Sequence, residues 1–227
     1  MGFQAINGNS IVTFPENSRT PNMMKFMAEI RCKNIKNTDL IPLIQNAINN
    51  ENLDEKNIKK ELDKELVNKD ELSKNIQNKL SDNKIETKEE LINSINRDFN
   101  KADKEDKLKI QKFTQKQLIQ NLEENNLKSK LRKETPIVIV LDNYRPHRNQ
   151  DLKKVCKILN IILIHLPPYS PQLNPIEQVW KSIKRIIYTT FVETKEELIK
   201  LFQKEYYKII KNSSFYDKWV SRFILKG

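Results

Sequence analysis

Residues 136–180 read PIVIVLDNYRPHRNQDLKKVCKILNIILIHLPPYSPQLNPIEQVW. Ile137 to Leu141 is a continuous, largely β-branched run that ends on Asp142. Gln150 to Leu159 has helical spacing, with Leu152, Val155, Cys156 and Leu159 on one side. Ile161 to Leu166 is a second apolar run. A strand, a helix and a strand with short connections predict a βαβ unit, its strands parallel and buried on both faces. LPPYSPQLNP follows, so rich in proline that it reads as a rigid connection. Helices are then expected from Pro175 to about Tyr188 and from Thr194 to about Lys211. In the tail NSSFYDKWVSRFILKG, Phe215, Trp219 and Phe223 are expected to pack back onto the domain.

Working outward, residues 1–32 begin GFQAINGNSIVTF after Met1. Asn7-Gly8 lies between the short runs Phe3 to Ile6 and Ser10 to Phe14. Asn-Gly predicts a type I′ hairpin turn, because both central positions of that turn need positive φ. Pro21 to Arg31 reads as an amphipathic helix with Met23, Met27 and Ile30 on one face and Thr20 as its N-cap.

Residues 33–134 differ in texture. They hold no glycine, one proline (Pro42) and two aromatics, Phe99 and Phe113. Apolar residues recur at helical spacing: Ile58, Leu62 and Leu66, then Leu72, Ile76 and Leu80, and again from Leu91 to Leu122. The pattern predicts a run of helices with thin apolar stripes, either a small bundle or a protruding hairpin. The stretch NKADKEDKLK at 100–109 reads as a linker or disordered. IETKEELIN (85–93) and VETKEELIK (192–200) each carry a threonine followed three residues later by glutamate (Thr87 and Glu90, Thr194 and Glu197), the pattern of two independent capping boxes.

Lys plus Arg is 41 and Asp plus Glu is 30, a formal net charge of +11. The surplus fits a polyanion such as nucleic acid, or simply a soluble basic protein. Its distribution is uneven: 33–134 holds 22 basic and 20 acidic residues, so a surplus of +9 lies in the rest of the chain. Cys32 and Cys156 stand outside any metal-ligand spacing and read as buried or idle thiols in a reducing cytosol. No apolar run is long enough to span a bilayer, and no signal peptide is evident, so a cytoplasmic protein is expected.

Asp142 falls at the carboxyl end of a predicted parallel strand, where ligands collect in open α/β sheets. As Asp-Asn it also suits a plain turn. Glu177 falls in the first turn of the predicted helix. With Asn174 as N-cap and Pro175 at the first position it would complete a capping box, and the same placement suits metal ligation. Two carboxylates at element ends in a basic protein point to divalent-metal chemistry on phosphates. His147 either contacts a phosphate or ligand, or is an ordinary surface residue. Trp180 reads as core cover beside the site. Lys181, Lys184 and Arg185 suit a nucleic-acid backbone or a solvated helix face.

The strings LDNYRPH and LPPYSPQLNPIEQVWKSIK together resemble the DDE transposase domain of the IS630/Tc1/mariner superfamily. The 34 residues between Asp142 and Glu177 match that family's spacing between its second and third acidic residues. Residues 2–19 resemble its second and third strands, and 21–31 its first helix. The resemblance implies an RNase H-like fold of class α/β, a mixed sheet flanked by helices. It implies Asp142 and Glu177 as catalytic metal ligands for two Mg²⁺ or Mn²⁺ ions, with Asn143 and His147 beside the site. It also implies DNA, in the form of transposon ends, as partner, and a cytoplasmic, nucleoid-associated location without a membrane.

Two departures from that family are expected. The first catalytic aspartate and its strand would lie upstream of Met1, and Asp39 is no credible stand-in. The hairpin and the βαβ pair then lack the strand that joins them, so they close onto each other, leave a gap, or accept a strand supplied by an upstream reading frame, a homodimer partner or an intact transposase copy. The expected division is 1–32 as the first part of the DDE domain, 33–134 as an all-α insertion, and 135–227 as the second part. Such a chain reads as a DDE domain incomplete on its own. The alternatives are a non-catalytic DNA- or transposase-binding regulator, or an inert fragment.

Overall fold

The computed structural model describes residues 1–81, 88–212, 217 and 220–221. The expectations for Phe215, Trp219, Phe223 and the Thr87 capping box lie outside the described residues. The chain divides into two compact units, Met1–Ile48 with Ile119–Gly227, and Asn49–Leu118.

In the first unit, β-branched residues build the parallel pair as expected. The strand Ile137–Leu141 (β3) pairs in parallel with Ile161–His165 (β4), in a register from Ile137↔Ile161 to Leu141↔His165. The helix Gln150–Ile158 (α7) connects them, capped by Asn149, whose side chain accepts from the N–H groups of Asp151 and Leu152. Asn160 turns the chain into β4 with φ 53°, a left-handed conformation that asparagine tolerates. The expected burial on both faces is not met. Ile139, Leu141 and Ile161 are buried, whereas Val138, Ile162 and Ile164 on the opposite face are 52, 50 and 49 % exposed. Helix α7 covers one face, and among the described residues the other stays open to solvent.

Helix Thr20–Lys33 (α1) buries Met23, Met27 and Ile30 as its spacing predicts, and Met24, Phe26 and Ala28 besides. Thr20 is its first residue rather than its cap. Arg19 holds the N-cap position without a side-chain bond, and Asn17 braces the entry instead, through the Arg19 N–H and the Asn22 amide. Arg31 is fully buried yet charged. Its guanidinium donates to the carbonyls of Leu159 (2.8 Å), Asn160 (2.6 Å) and Thr135 (3.0 Å), which tie α1 to the starts of both strands. Helices Leu40–Ile48 (α2) and Leu127–Leu131 (α6) complete this side.

The hairpin departs from its prediction. Gly2–Phe3 (β1) pairs antiparallel with Ile11–Val12 (β2), in the register Gly2↔Val12 and Phe3↔Ile11. A long loop joins them, and neither Asn7 nor Gly8 has positive φ, so no type I′ turn forms. Tertiary bonds override the local preference: the Asn34 side chain accepts from the Asn9 N–H (2.6 Å) and donates to the Asn9 carbonyl (3.0 Å). Gly8 is needed here for close approach, since a Cβ would lie 2.5 Å from Asn34 Oδ1.

Helices Ile176–Thr189 (α8) and Lys195–Ile210 (α9) pack on the hairpin through Val12, Val179, Ile183 and Tyr206. The Tyr206 hydroxyl donates to the carbonyls of Phe3 (2.7 Å) and Ile11 (3.2 Å), and burial pushes its pKa up. The Thr194–Glu197 capping box opens α9 as expected.

The second unit is helical, with Glu55–Glu61 (α3), Lys69–Ser81 (α4) and the first part of Lys88–Glu124 (α5), a helix that continues into the first unit. Ile58 and Leu62 are buried, though α3 stops at Glu61. Residues 100–109 are not a linker but part of α5. They hold no glycine or proline, and Asp103 pairs with Lys107 one turn on.

Both cysteines are free thiols: burial pushes Cys156 up to about 12, and burial beside Glu29 pushes Cys32 up to about 11.

Candidate functional site

Parallel pairing brings the ends of β3 and β4 side by side, and everything at the site follows from that. The Leu166 N–H donates to the Leu141 carbonyl (2.8 Å), so the chain leaves both strands at one level. Asn143 then fixes the exit of β4: its Nδ2 donates to the Leu166 carbonyl at 2.5 Å. The proline-rich loop is thereby held against the turn that carries Asp142.

Asp142 is exposed, and its Oδ1 accepts the Tyr144 N–H (3.0 Å). A short 3₁₀ turn, Arg145–Arg148, swings His147 back so that Nδ1 lies 2.8 Å from the same oxygen. A carboxylate only accepts, so Nδ1 carries the proton, and in the neutral ring Nε2 is left as an acceptor. His147 is therefore a positioning group for Asp142.

Glu177 lies in the first turn of α8 and is exposed. The expected capping box does not form. Pro175 occupies the N-cap position without a side-chain bond, and Asn174 contributes its carbonyl, which accepts the Glu177 N–H at 3.1 Å. With Pro175 at the cap, no side-chain oxygen is available there, and the Glu177 carboxylate stays out of the capping pattern.

Asp142 and Glu177 line one cleft of about 150 Å³, with Asn143, Asn174 and the loop from Leu166 to Pro171 as its walls. Among the described residues, neither carboxylate is paired with lysine or arginine, and no group of three His, Cys, Asp or Glu side chains gathers. Lys181, Lys184 and Arg185 are exposed on α8. They follow Glu177 by four, seven and eight residues, so all four share one face of the helix. Trp180, three residues after Glu177, stacks on Tyr206 with ring centroids 5.7 Å apart. It covers the core as expected.

Four further residues near the site escaped the sequence reading. Arg145 and Arg148 are exposed cations on the 3₁₀ turn that follows Asp142 in the chain. Tyr144 contacts the His147 ring edge-on, at 5.5 Å between centroids, and its hydroxyl lies 2.9 Å from Ser18 Oγ. Tyr169 is fully exposed on the cleft wall with φ 56°. The signal for Tyr169 was its place between prolines, which keep an aromatic ring from folding back into a core.

Residues 94–199 match the family of DDE superfamily endonucleases. This stretch holds both cleft carboxylates and α8's basic face. The match supports a DDE transposase-type domain, a nuclease or transposase type of activity, and DNA as its substrate. It starts within α5 and does not reach the hairpin. No curated protein and no solved structure matches the chain. Among the described residues, no helix is long and apolar enough to cross a membrane.

Proposed function

We propose that this chain carries a DDE domain of the IS630/Tc1/mariner type, built for metal-dependent cleavage and transfer of DNA strands, with Asp142 and Glu177 as metal ligands. The observation that carries the reading is the cleft that both carboxylates line, beside the carboxyl ends of parallel strands. The donor set fits Mg²⁺ or Mn²⁺, hard cations held by one or two carboxylates, with water and phosphate oxygens completing the shell. When bound, such ions activate water or a DNA 3′-hydroxyl for in-line attack on a phosphodiester. The protein's own part is positional. His147 holds Asp142, Asn143 holds the proline loop, and Lys181, Lys184 and Arg185 grip the phosphate backbone along α8.

Asp142 and Glu177 are two of the three acidic ligands that such a site uses, and an upstream frame, a homodimer partner or an intact transposase copy would supply the third. Residues 33–134 are an insertion between the two parts of the domain. The protein works on transposon ends in the nucleoid. A second reading, a regulator that binds DNA or transposase without cutting, is favoured by the +9 surplus outside 33–134 together with the absence of a three-ligand group among the described residues.

Two measurements test this. DNA affinity should fall linearly on a log–log plot against salt, and Lys181→Ala with Lys184→Ala and Arg185→Ala should flatten the slope by about 3. Absent or salt-insensitive binding removes DNA from the account. Supercoiled plasmid incubated with the chain and Mg²⁺ or Mn²⁺ should show little nicking. Nicking that Asp142→Ala abolishes would prove the site complete as it stands.

A further inference from the structure

Helix α8 carries two kinds of side chain on two faces. Val179, Ile183 and Ile187, spaced by four residues, pack with Tyr206 in the core. Lys181, Lys184, Arg185 and Tyr188 are related by steps of three or four residues and are exposed. Tyr188 therefore closes the basic stripe, with 85 % of its surface open to solvent. Phe191 comes three residues later and is 86 % exposed. Three trans peptide steps keep the two Cα atoms within about 11 Å of each other.

Hydrogen bonds hold both ends of the connection that carries Phe191. Where α8 ends, the Thr190 hydroxyl donates to the Ile186 carbonyl (2.8 Å) and the Thr190 N–H to the Ile187 carbonyl (3.2 Å). Where α9 begins, the Glu197 carboxylate accepts the Glu193 N–H (3.0 Å) and the Thr194 hydroxyl accepts the Glu197 N–H (3.2 Å). Phe191 and Val192 bridge these anchors, Val192 half-buried and Phe191 standing out. Large apolar side chains scattered singly over a surface need no explanation. Two rings held out within four residues, at the end of a row of three cations, combine charge for a phosphate backbone with ring faces for bases.

We infer that the C-terminal end of α8 is a stacking site for unpaired bases of single-stranded nucleic acid. Tyr188 and Phe191 each take a base, while Lys181, Lys184 and Arg185 follow the strand's phosphates. Unpaired bases are required because a duplex covers its base faces with their neighbours, whereas a single strand offers them to aromatic rings. The exposed carboxylates Glu193 and Glu196 come next in the chain, so the phosphate track stops at α8 and only uncharged bases reach on to Phe191. Glu177 and Tyr188 are eleven residues apart, about 16 Å of helix. At about 3.4 Å for each stacked nucleotide, the rings lie about five nucleotides along a strand from the cleft carboxylate. The inference rests on DNA as the partner and adds the form in which the strand is held.

The test compares, by anisotropy on the full chain, a labelled oligothymidine of about 15 nucleotides with a duplex of the same length. Tyr188→Ala and Phe191→Ala should each weaken oligothymidine binding at least about fivefold, and together at least about twentyfold. Tyr188→Phe, which keeps the ring, should bind as the parent does. Duplex affinity and both salt slopes should stay unchanged, because the rings carry no charge. Side chains this exposed can be replaced without disturbing the core. Under ultraviolet light, an oligothymidine carrying iodouridine should crosslink to the tryptic peptide Ile186–Lys195, which holds both rings. The inference is overturned if the double variant binds oligothymidine as the parent does, if it loses duplex affinity equally, or if the crosslink maps elsewhere. It is also overturned if light scattering finds a dimer that the double variant dissolves, because a second copy then covers the rings. Loss of salt-dependent binding to duplex and single strand alike would instead remove DNA as the partner, and this inference with it.

Discussion

The two small sheets of the first unit are held in different ways. The β3–β4 pair has five residues a side, an apolar β-branched sequence in each strand and one helix between them. The β1–β2 pair has two residues a side and a loop whose Asn-Gly dipeptide does not turn as it would in isolation. A long apolar strand determines its own register, since a slip by one residue would send its buried face into solvent. A two-residue strand has no such stake. Its position comes from outside, from Asn34 at the end of α1 and from the Tyr206 hydroxyl of α9.

The comparison can be broken most severely at Arg31, where the longer sheet also leans on a distant side chain. Arg31→Met leaves the carbonyls of Leu159 and Thr135 without this donor, while Asn160 keeps the Ile137 N–H. At roughly 1–3 kcal/mol for each orphaned buried group, a loss of about 3 kcal/mol or more is expected. It should appear as a lower urea midpoint, with exchange quickening first at the starts of β3 and β4. An unchanged midpoint would mean that the β-branched pattern alone maintains the pair.

Tyr206→Phe is the matching cut at the hairpin. It removes the bonds to the carbonyls of Phe3 and Ile11 and keeps the ring stacked on Trp180. About 1–2 kcal/mol should be lost. Exchange at Phe3 and Ile11 should quicken while β3 and β4 keep their protection.

Asn34→Ala should have the smallest effect, about 1 kcal/mol, because its bonds to Asn9 are exposed. It sharpens the comparison by freeing residues 4–10. Released from Asn34, Asn7-Gly8 should recover its turn preference, and nuclear magnetic resonance couplings should report positive φ at both. If those angles stay negative, some contact other than Asn34 suppresses the turn.

The candidate site shows the same division between local and distant causes. Asp142 at a strand end and Glu177 in the first turn of a helix were legible from residue type and position alone, because apolar runs and a proline-rich turn mark element ends. The roles of their neighbours were not. His147 could have faced solvent, and only the 3₁₀ turn brings it to Asp142. The capping box anticipated at Glu177 gave way to a cap at Pro175, which has no side-chain oxygen to offer. Residues 100–109 looked like a linker because they are polar. Helix formation depends on propensity and on one-turn pairs such as Asp103–Lys107, neither of which needs an apolar face.

Periodicity, β-branching and capping residues determined the βαβ unit, the helices after it and the carboxyl ends on which Asp142 stands, because each is decided within about a dozen neighbouring residues. The fold alone decided the path of the 4–10 loop, the buried place of Arg31 and, among the described residues, the open face of the parallel sheet. Each of these depends on groups more than twenty residues apart in the chain, and no local pattern encodes which of them will meet.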